Sequence, residues 1–580
     1  MSLAGAKDVG TTKQEGAPRR RKQDGPFGGM NQKEAKIRGL PERRSEQQEK
    51  RTAGGRRGRE EARGARGFRA LKMQRTLAPV SYVQRTLVKQ RIADLESFQQ
   101  FPLVESVQTS IATQALEGMT DIRPTPVQRI AIPALLGMES KTGKKVKSKD
   151  EGSKREDYLI AAETGSGKTL SYLIPTINAI KLAEAADADF EAHGKALQDE
   201  KVRQNDLTLA SPPLSNMPHP TTGRPRAIIL VPTSELVAQV GALVKAFSHT
   251  VKFRSAMISA SFSGKVIRNR LFSPQGIDIV VATPHLLSSI ADSDPNILSR
   301  VTHLIVDEAD SLLDRGFSPL TQAIIDKATP SLKQLILCSA TIPRSMDAFL
   351  HKRFPDIRRL VTPNLHAIPR RVQLGVVDVE RAPYQGNKNL ACADTIWSIG
   401  KAAAEHDGPV KGQMDVKRVL VFVNERETTQ ELTEYLVSKG IDAIALSRDT
   451  PEQRQSEMLA SFTSSVPLSA PKPETLPGSL ADNQPNYVPF GHVAPPAKRN
   501  LPNMKVLVTT DLGSRGIDTL AVRHVILYDV PHSTIDFIHR LGRTGRMGRR
   551  GRGIVLVGKG DRRDVVAEVK EGMFKGQALI

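Results

Sequence analysis

Ala162-Glu163-Thr164-Gly165-Ser166-Gly167-Lys168-Thr169 is the stretch that decides how this chain folds. A short apolar run, Tyr158-Leu159-Ile160-Ala161, precedes it, and the helix-like Leu170-Ser171-Tyr172-Leu173-Ile174 follows. Strand, glycine loop and helix in that order make a cradle for phosphate. Small residues let backbone N–H groups turn inward around phosphate oxygens at the positive end of a helix. Lys168 then reaches the β/γ-phosphates as a point charge, its side chain directed into a solvated cleft, and Thr169 offers its hydroxyl to Mg²⁺. Ala162 stands where the pattern usually has its first glycine. Read alone, the same letters also describe a flexible turn ahead of a core helix, so the rest of the chain must decide.

Downstream, short apolar runs alternate with helix-like stretches: Ala227–Val231, Ile277–Ala282, Leu304–Val306 and Leu335–Cys338. Runs of this kind, buried on both faces, predict an α/β fold with a parallel sheet. A second series, Val419–Val423, Ala443–Leu446, Lys505–Val508, Val525–Leu527 and Ile554–Val557, predicts a second α/β domain. Pro363 and Pro369 punctuate a linker near Thr362–Arg371. Upstream, Leu103, Val107 and Ile111 share one helical face, and Pro126 starts a short helix through Ile130 and Ile132. Residues 139–156, about 184–224 and 464–500 read as loops or surface insertions.

With 580 residues the chain holds more than one domain, at about 100–200 residues each. Its formal charge of +22 is uneven: residues 1–75 carry 21 Lys or Arg against 9 Asp or Glu, a surplus of 12. Such a surplus points to a polyanionic partner. Aromatics are only 4%, which disfavours recognition by base stacking and favours a grip on the nucleic-acid backbone. The expected organisation is a disordered basic N-terminal extension over 1–90, one domain over 91–365 and a second over 366–580. Two cysteines, Cys338 and Cys392, have no metal-ligand spacing and are too few for a secreted disulfide framework. No apolar run reaches the roughly 18 residues of a membrane span. No apolar h-region follows the first residues, so no secretory signal is expected. Arg19-Arg20-Arg21-Lys22 fits a nuclear signal as well as an organellar one.

Asp307-Glu308-Ala309-Asp310 follows the run His303-Leu304-Ile305-Val306 directly. Carboxylates at the C-terminal end of a parallel strand sit in the crevice where such sheets bind ligands. Asp307 is placed to hold Mg²⁺ through water, and Glu308 to orient and deprotonate an attacking water.

These motifs together resemble the DEAD-box RNA helicases over about residues 98–560. The resemblance implies two tandem RecA-like domains that open when free and close on ATP, Mg²⁺ and RNA. Pro124–Gln128 is similar to the family's adenine-reading segment, with Gln128 on the base edge and Phe98 as the stacking aromatic. Ala162 to Thr169, comprising Ala162, Glu163, Thr164, Gly165, Ser166, Gly167, Lys168 and Thr169, would hold the phosphates. Asp310, Ser339 and Thr341 would link hydrolysis to strand separation, together with Arg515 and His539. Asp518 would contact the ribose, and Thr510 and Asp511 would face RNA beside Pro232, Thr233, Thr283 and Pro284. His539-Arg540-Leu541-Gly542-Arg543-Thr544-Gly545-Arg546 resembles the family's arginine-finger motif, with Arg543 and Arg546 reaching across the cleft.

Departures fall on the RNA side. Ser234 replaces an arginine, His285-Leu286 replaces Gly-Arg, Ser263-Gly264 is the nearest match to paired glycines, and Arg454 is one position out of register. ATP chemistry is therefore expected to persist while the first domain's RNA grip is weakened or redirected. Ala70–Val80 and Arg91-Ile92-Ala93-Asp94-Leu95 resemble a fungal mitochondrial branch of the family, implicated in assembly of the mitochondrial large ribosomal subunit. That resemblance implies a matrix location, with nucleus or nucleolus as the alternative, and a monomer acting on structured ribosomal RNA in ribonucleoprotein intermediates. Two rivals are an ATP-gated RNA clamp with little unwinding and a DNA helicase.

Overall fold

The computed structural model describes residues 77–78, 86, 92, 95–119, 122–138, 155–205, 219–314, 318–401, 416–446, 454, 457–459, 462, 501–511, 522–545, 549–576 and 578–579. Almost all of the expected N-terminal extension, most of the 139–156 loop and the 464–500 insertion lie outside them. Among the described residues no helix is long and apolar enough to cross a membrane.

The fold is α/β, built as two RecA-like domains. Seven strands form the first sheet: β1 (Glu156–Ala161), β2 (Ala227–Leu230), β3 (Ser255–Ile258), β4 (Ile279–Ala282), β5 (His303–Val306), β6 (Gln334–Ser339) and β7 (Arg358–Val361). Their order is β3-β4-β2-β5-β6-β1-β7, with every pair parallel. The second sheet holds β8 (Val372–Asp378), β9 (Lys417–Phe422), β10 (Ile441–Leu446), β11 (Leu501–Thr509), β12 (His524–Leu527) and β13 (Gly551–Val557). It runs β10-β11-β9-β12-β13-β8, again all parallel.

Each sheet is covered on both faces, which is why its central strands carry apolar residues at successive positions. In β1, Leu159 and Ala161 enter one buried cluster while Tyr158 and Ile160 enter the other. In β9, Leu420 and Phe422 face one side and Val419 and Val421 the opposite side. Each fully buried Leu, Ile or Phe contributes about 1.5–3 kcal/mol, so these central strands fix the register that aims their C-terminal ends at the site.

Part of the expected 184–224 insertion is described. It contains a helix, Ala188–Asn205, docked by charge rather than by an apolar face. Asp187 accepts hydrogen bonds from Arg226 and Arg300, Asp189 pairs with Arg300 at 2.9 Å, and the Arg226 guanidinium lies over the Phe190 ring.

Candidate active site

The phosphate loop leaves β1 at Ala161 and enters the helix Lys168–Ala185. Gly165 and Gly167 have φ of 73° and 90°, a left-handed conformation that glycine alone adopts without strain. A Cβ on Gly167 would also fall 2.7 Å from Gln128 Nε2. That contact exists because Gln128, 3% exposed, braces the loop. Its Nε2 donates to the Gly167 carbonyl at 3.2 Å, and its Oε1 accepts from the Thr125 N–H at 2.8 Å. Ser166 Oγ closes the turn by donating to the Glu163 carbonyl, and Glu163 accepts from the Thr362 hydroxyl.

Lys168 corrects the expectation of a side chain directed into a solvated cleft. It is 8% exposed, and its ammonium donates to the carbonyls of Ala162 at 3.0 Å and Glu163 at 3.1 Å. A buried charge needs such partners, and the loop it serves supplies them. Phe98 is buried edge-on to Phe101, with ring centroids 6.0 Å apart, inside the apolar core. It is not among the residues lining the cleft.

Asp307 lies at the end of β5, buried. Its Oδ1 accepts from the Glu308 N–H at 2.9 Å and its Oδ2 from the Tyr172 hydroxyl at 2.8 Å. Burial pushes its carboxyl up to about 6, and neighbouring Glu308 adds to the rise, while Tyr172 and Lys168 oppose it. Thr169, the other residue assigned to Mg²⁺, stands one helical turn before Tyr172 in the helix Lys168–Ala185. The oxygen donors of Asp307 and Thr169 suit Mg²⁺, which keeps several waters and takes one or two protein oxygens. Among the described residues no group of three or more His, Cys, Asp or Glu offers a fuller metal cage. Glu308 is left-handed, at φ 51°, where it caps the short helix Ala309–Leu312.

A cleft of about 490 Å³ opens between Thr164-Gly165-Ser166, the linker residues Arg370 and Arg371, and Gly545 of the second domain. The domains touch beside it. Asp310 Oδ2 accepts from the Thr341 hydroxyl and faces His539 Nε2 at 3.1 Å. The Ser339 hydroxyl donates to the Thr341 carbonyl at 2.8 Å. Thr164 Oγ donates to the Gly542 carbonyl at 3.4 Å, an approach so close that a Cβ on Gly542 would lie 2.1 Å from that oxygen.

Residues 125–349 match the DEAD/DEAH box helicase family and residues 497–548 the helicase conserved C-terminal domain. The chain is 76% identical to the ATP-dependent RNA helicase mrh4, mitochondrial, of Sclerotinia sclerotiorum, over 100% of this chain and 93% of that protein. The Pyricularia oryzae protein of that name is 58% identical, over 97% of this chain and 87% of its own length. The chain belongs to the DEAD-box family of RNA helicases. It is an ATP-dependent RNA helicase, and its relatives place it in the mitochondrion. Among solved structures, Mss116p bound to ssRNA and AMP-PNP shares the fold, with a TM-score of 0.54 and 18% identity, over 79% of this chain and 73% of that one. Saccharomyces cerevisiae Dbp5 bound to RNA and ADP BeF3 is equally similar at a TM-score of 0.54 and 18% identity, over 83% of this chain and 94% of that one.

The DEAD-box motifs of the RNA side sit at strand ends. Thr233 caps the helix Ser234–Val251 after β2, and Thr283 precedes the helix Pro284–Ser293 after β4. Pro232 and Pro284 are buried, Ser234 and Leu286 half-buried, and His285 exposed. Ser263 precedes a third helix, Gly264–Leu271. Asp511, expected toward RNA, is engaged otherwise: its two carboxylate oxygens accept from Arg540 at 2.7 and 2.6 Å. Thr510, half-buried, immediately follows β11. Arg543 is buried, whereas Arg515, Asp518 and Arg546 lie outside the described residues.

Three residues escaped the sequence reading. Tyr172 looked like one more core aromatic; its place three residues after Thr169, on the same helical face, was the available signal. Arg540, 2% exposed, also donates to Asn424 Oδ1 at 2.8 Å and lies over the Phe422 ring. Nothing local marks Asn424 as its partner. His366 holds the linker to the loop after Thr341, its Nε2 accepting from the Ile342 N–H at 3.0 Å.

Proposed function

We propose that the two domains complete a single ATP site and that closure couples its hydrolysis to local destabilisation of RNA duplexes or remodelling of RNA–protein contacts. The observation carrying this reading is the contact of Asp310 with both Thr341 and His539. One carboxylate beside the nucleotide carboxylates Asp307 and Glu308 thereby senses both domains.

Lys168 and the loop N–H groups bind the β/γ-phosphates, with Ala162 to Gly167 shaping the cradle. Thr169 and Asp307 are the residues that would hold Mg²⁺, and the ion would supply neutralisation of phosphate charge. Glu308 orients the water and takes its proton. Arg543 and Arg546 stabilise charge on the transferred phosphoryl group. Gln128 serves the adenine and Asp518 the ribose, with Phe98 supporting the adenine side from the core. Ser339, Arg515 and the Asp310–Thr341–His539 contact transmit the state of the site. The helix N-termini after Thr233 and Thr283, with Pro232 and Pro284 fixing their entry, turn their positive ends toward RNA phosphates; Thr510 continues that track, with Asp511 beside it held by Arg540.

The cellular reading is assembly of the mitochondrial large ribosomal subunit in the matrix, by a monomer acting on structured ribosomal RNA in ribonucleoprotein intermediates. Its support is the resemblance of Ala70–Val80 and the basic surplus of the first 75 residues. RNA crosslinking in isolated mitochondria tests this; crosslinks spread over messenger RNA with normal large-subunit sedimentation on depletion overturn it. At the bench, RNA-stimulated ATPase and strand displacement should appear together. Stimulation without displacement would favour the clamp, a reading supported by Ser234 and His285 in place of the family residues. Equal stimulation by RNA and DNA would favour a DNA helicase, since only RNA offers the 2′-OH.

A further inference from the structure

Leu77 and Ala78 belong to Ala70–Val80, a stretch outside both matched helicase regions. They run antiparallel to the loop that follows Ser339-Ala340-Thr341. The Ala78 N–H donates to the Ile342 carbonyl at 2.9 Å, and Leu77 bridges to Pro343. Proline has no N–H to return to Leu77, and the Leu77 carbonyl instead accepts from Arg344 Nε at 3.3 Å.

Successive side chains of an extended segment point opposite ways, and here the two directions lead into different domains. Leu77, 2% exposed, enters the buried cluster of the second domain with Ile368, Val372 and Leu579. Ala78 enters the first domain's cluster with Ile342 and Leu365. The same loop is tied to the linker through Ile342 and His366, and the His366 carbonyl accepts from the Leu579 N–H at 3.0 Å. Upstream segment, linker and C-terminal residues thus meet immediately after Thr341, the residue that bonds Asp310.

We propose that this junction is a peptide-docking groove between the domains, filled by the chain's own Leu77–Ala78, which acts as a strap favouring the closed arrangement. Separating the domains must strip either Leu77 from the second or Ala78 from the first. Strap contacts therefore add to the closed state alone and make closure responsive to the segment upstream of the helicase core.

The proposal rests on closure by ATP and RNA, and the test separates the two readings. Full-length protein carries a donor dye in the first domain and an acceptor in the second, and the closed-to-open ratio is read with a non-hydrolysable ATP analogue and single-stranded RNA. An unmodified chain that fails to close overturns the functional reading and the strap with it. If it closes, Leu77→Asp should lower the ratio about tenfold, the scale set by burying one leucine. Leu77→Met should restore it, and Arg344→Ala should lower it less. ATP turnover at saturating RNA should change less than twofold while the RNA concentration for half-maximal rate rises. An unchanged ratio in both Leu77→Asp and Arg344→Ala overturns the strap. So does a raised ratio, which would make the segment a plug, or a melting loss with the ratio intact in the molecules that remain folded.

Discussion

Glu308 combines a chemical assignment with a backbone conformation that side chains resist. Left-handed backbone costs a non-glycine residue on the order of 1 kcal/mol, and Glu308 bears it at φ 51°. Glu308→Gly should therefore raise stability slightly, read as a higher melting temperature, while single-turnover hydrolysis falls at least about 100-fold. A variant that hydrolysed normally would remove Glu308 from the base role. Lys168→Ala should weaken ATP binding about tenfold or more, by calorimetry. Stability should fall by about 1–3 kcal/mol, because what is lost in the fold is two hydrogen bonds to loop carbonyls. The residue types and their order at this site were legible in the sequence; the postures were not. A motif encodes what Lys168 does for phosphate, whereas its burial and the Tyr172 phenol on Asp307 depend on packing that no local pattern contains.

His303, at the start of β5, gives the pH dependence a sign. Burial pulls its imidazole down from 6.5 to about 4, with Lys333 adding to the fall. The folded state excludes a proton that the unfolded chain accepts. The associated stability is complete above pH 6.5 and is lost as pH falls toward 4, by about 3 kcal/mol in all. Urea midpoints measured from pH 7 to 4.5 should fall less steeply in His303→Gln than in the unmodified protein.

At the scale of elements, the strands that sequence missed are β3, β7 and β8, and all three are sheet edges. An edge strand packs along one side only and need not be apolar throughout. Arg358–Val361 is charged and incompletely buried, and Val372–Asp378 is fully buried only at Val372. The central strands β2, β4, β5, β9 and β12 announced themselves because both their neighbours and both faces demand apolar residues. The helix Ala188–Asn205 was hidden for the converse reason, since ion pairs around Asp187 hold it. Between elements, Gly542 sets how closely the second domain approaches the phosphate loop. Gly542→Ala would drive a methyl group into Thr164. ATP affinity of the first domain should survive within about threefold while RNA stimulation of turnover is lost. Steady-state ATPase with and without RNA checks this, and retained stimulation would show that the approach is not needed.

For the whole molecule, the wiring of β1 sets when the active site comes into being during synthesis and refolding. The strand that launches the phosphate loop pairs with β6 and β7, Glu156 opposite Gln334 and Tyr158 opposite Arg358. Its neighbours in space are made far later than β1 itself, so loop-closure entropy is spent before these contacts return any stability. The first domain must wait for residue 361 before its central strands can all be paired. The nucleotide cradle is thus a late product of folding. A chain halted short of β7 should not retain ATP, and nucleotide capture by nascent or refolding chains reports completion of the domain rather than its nucleation.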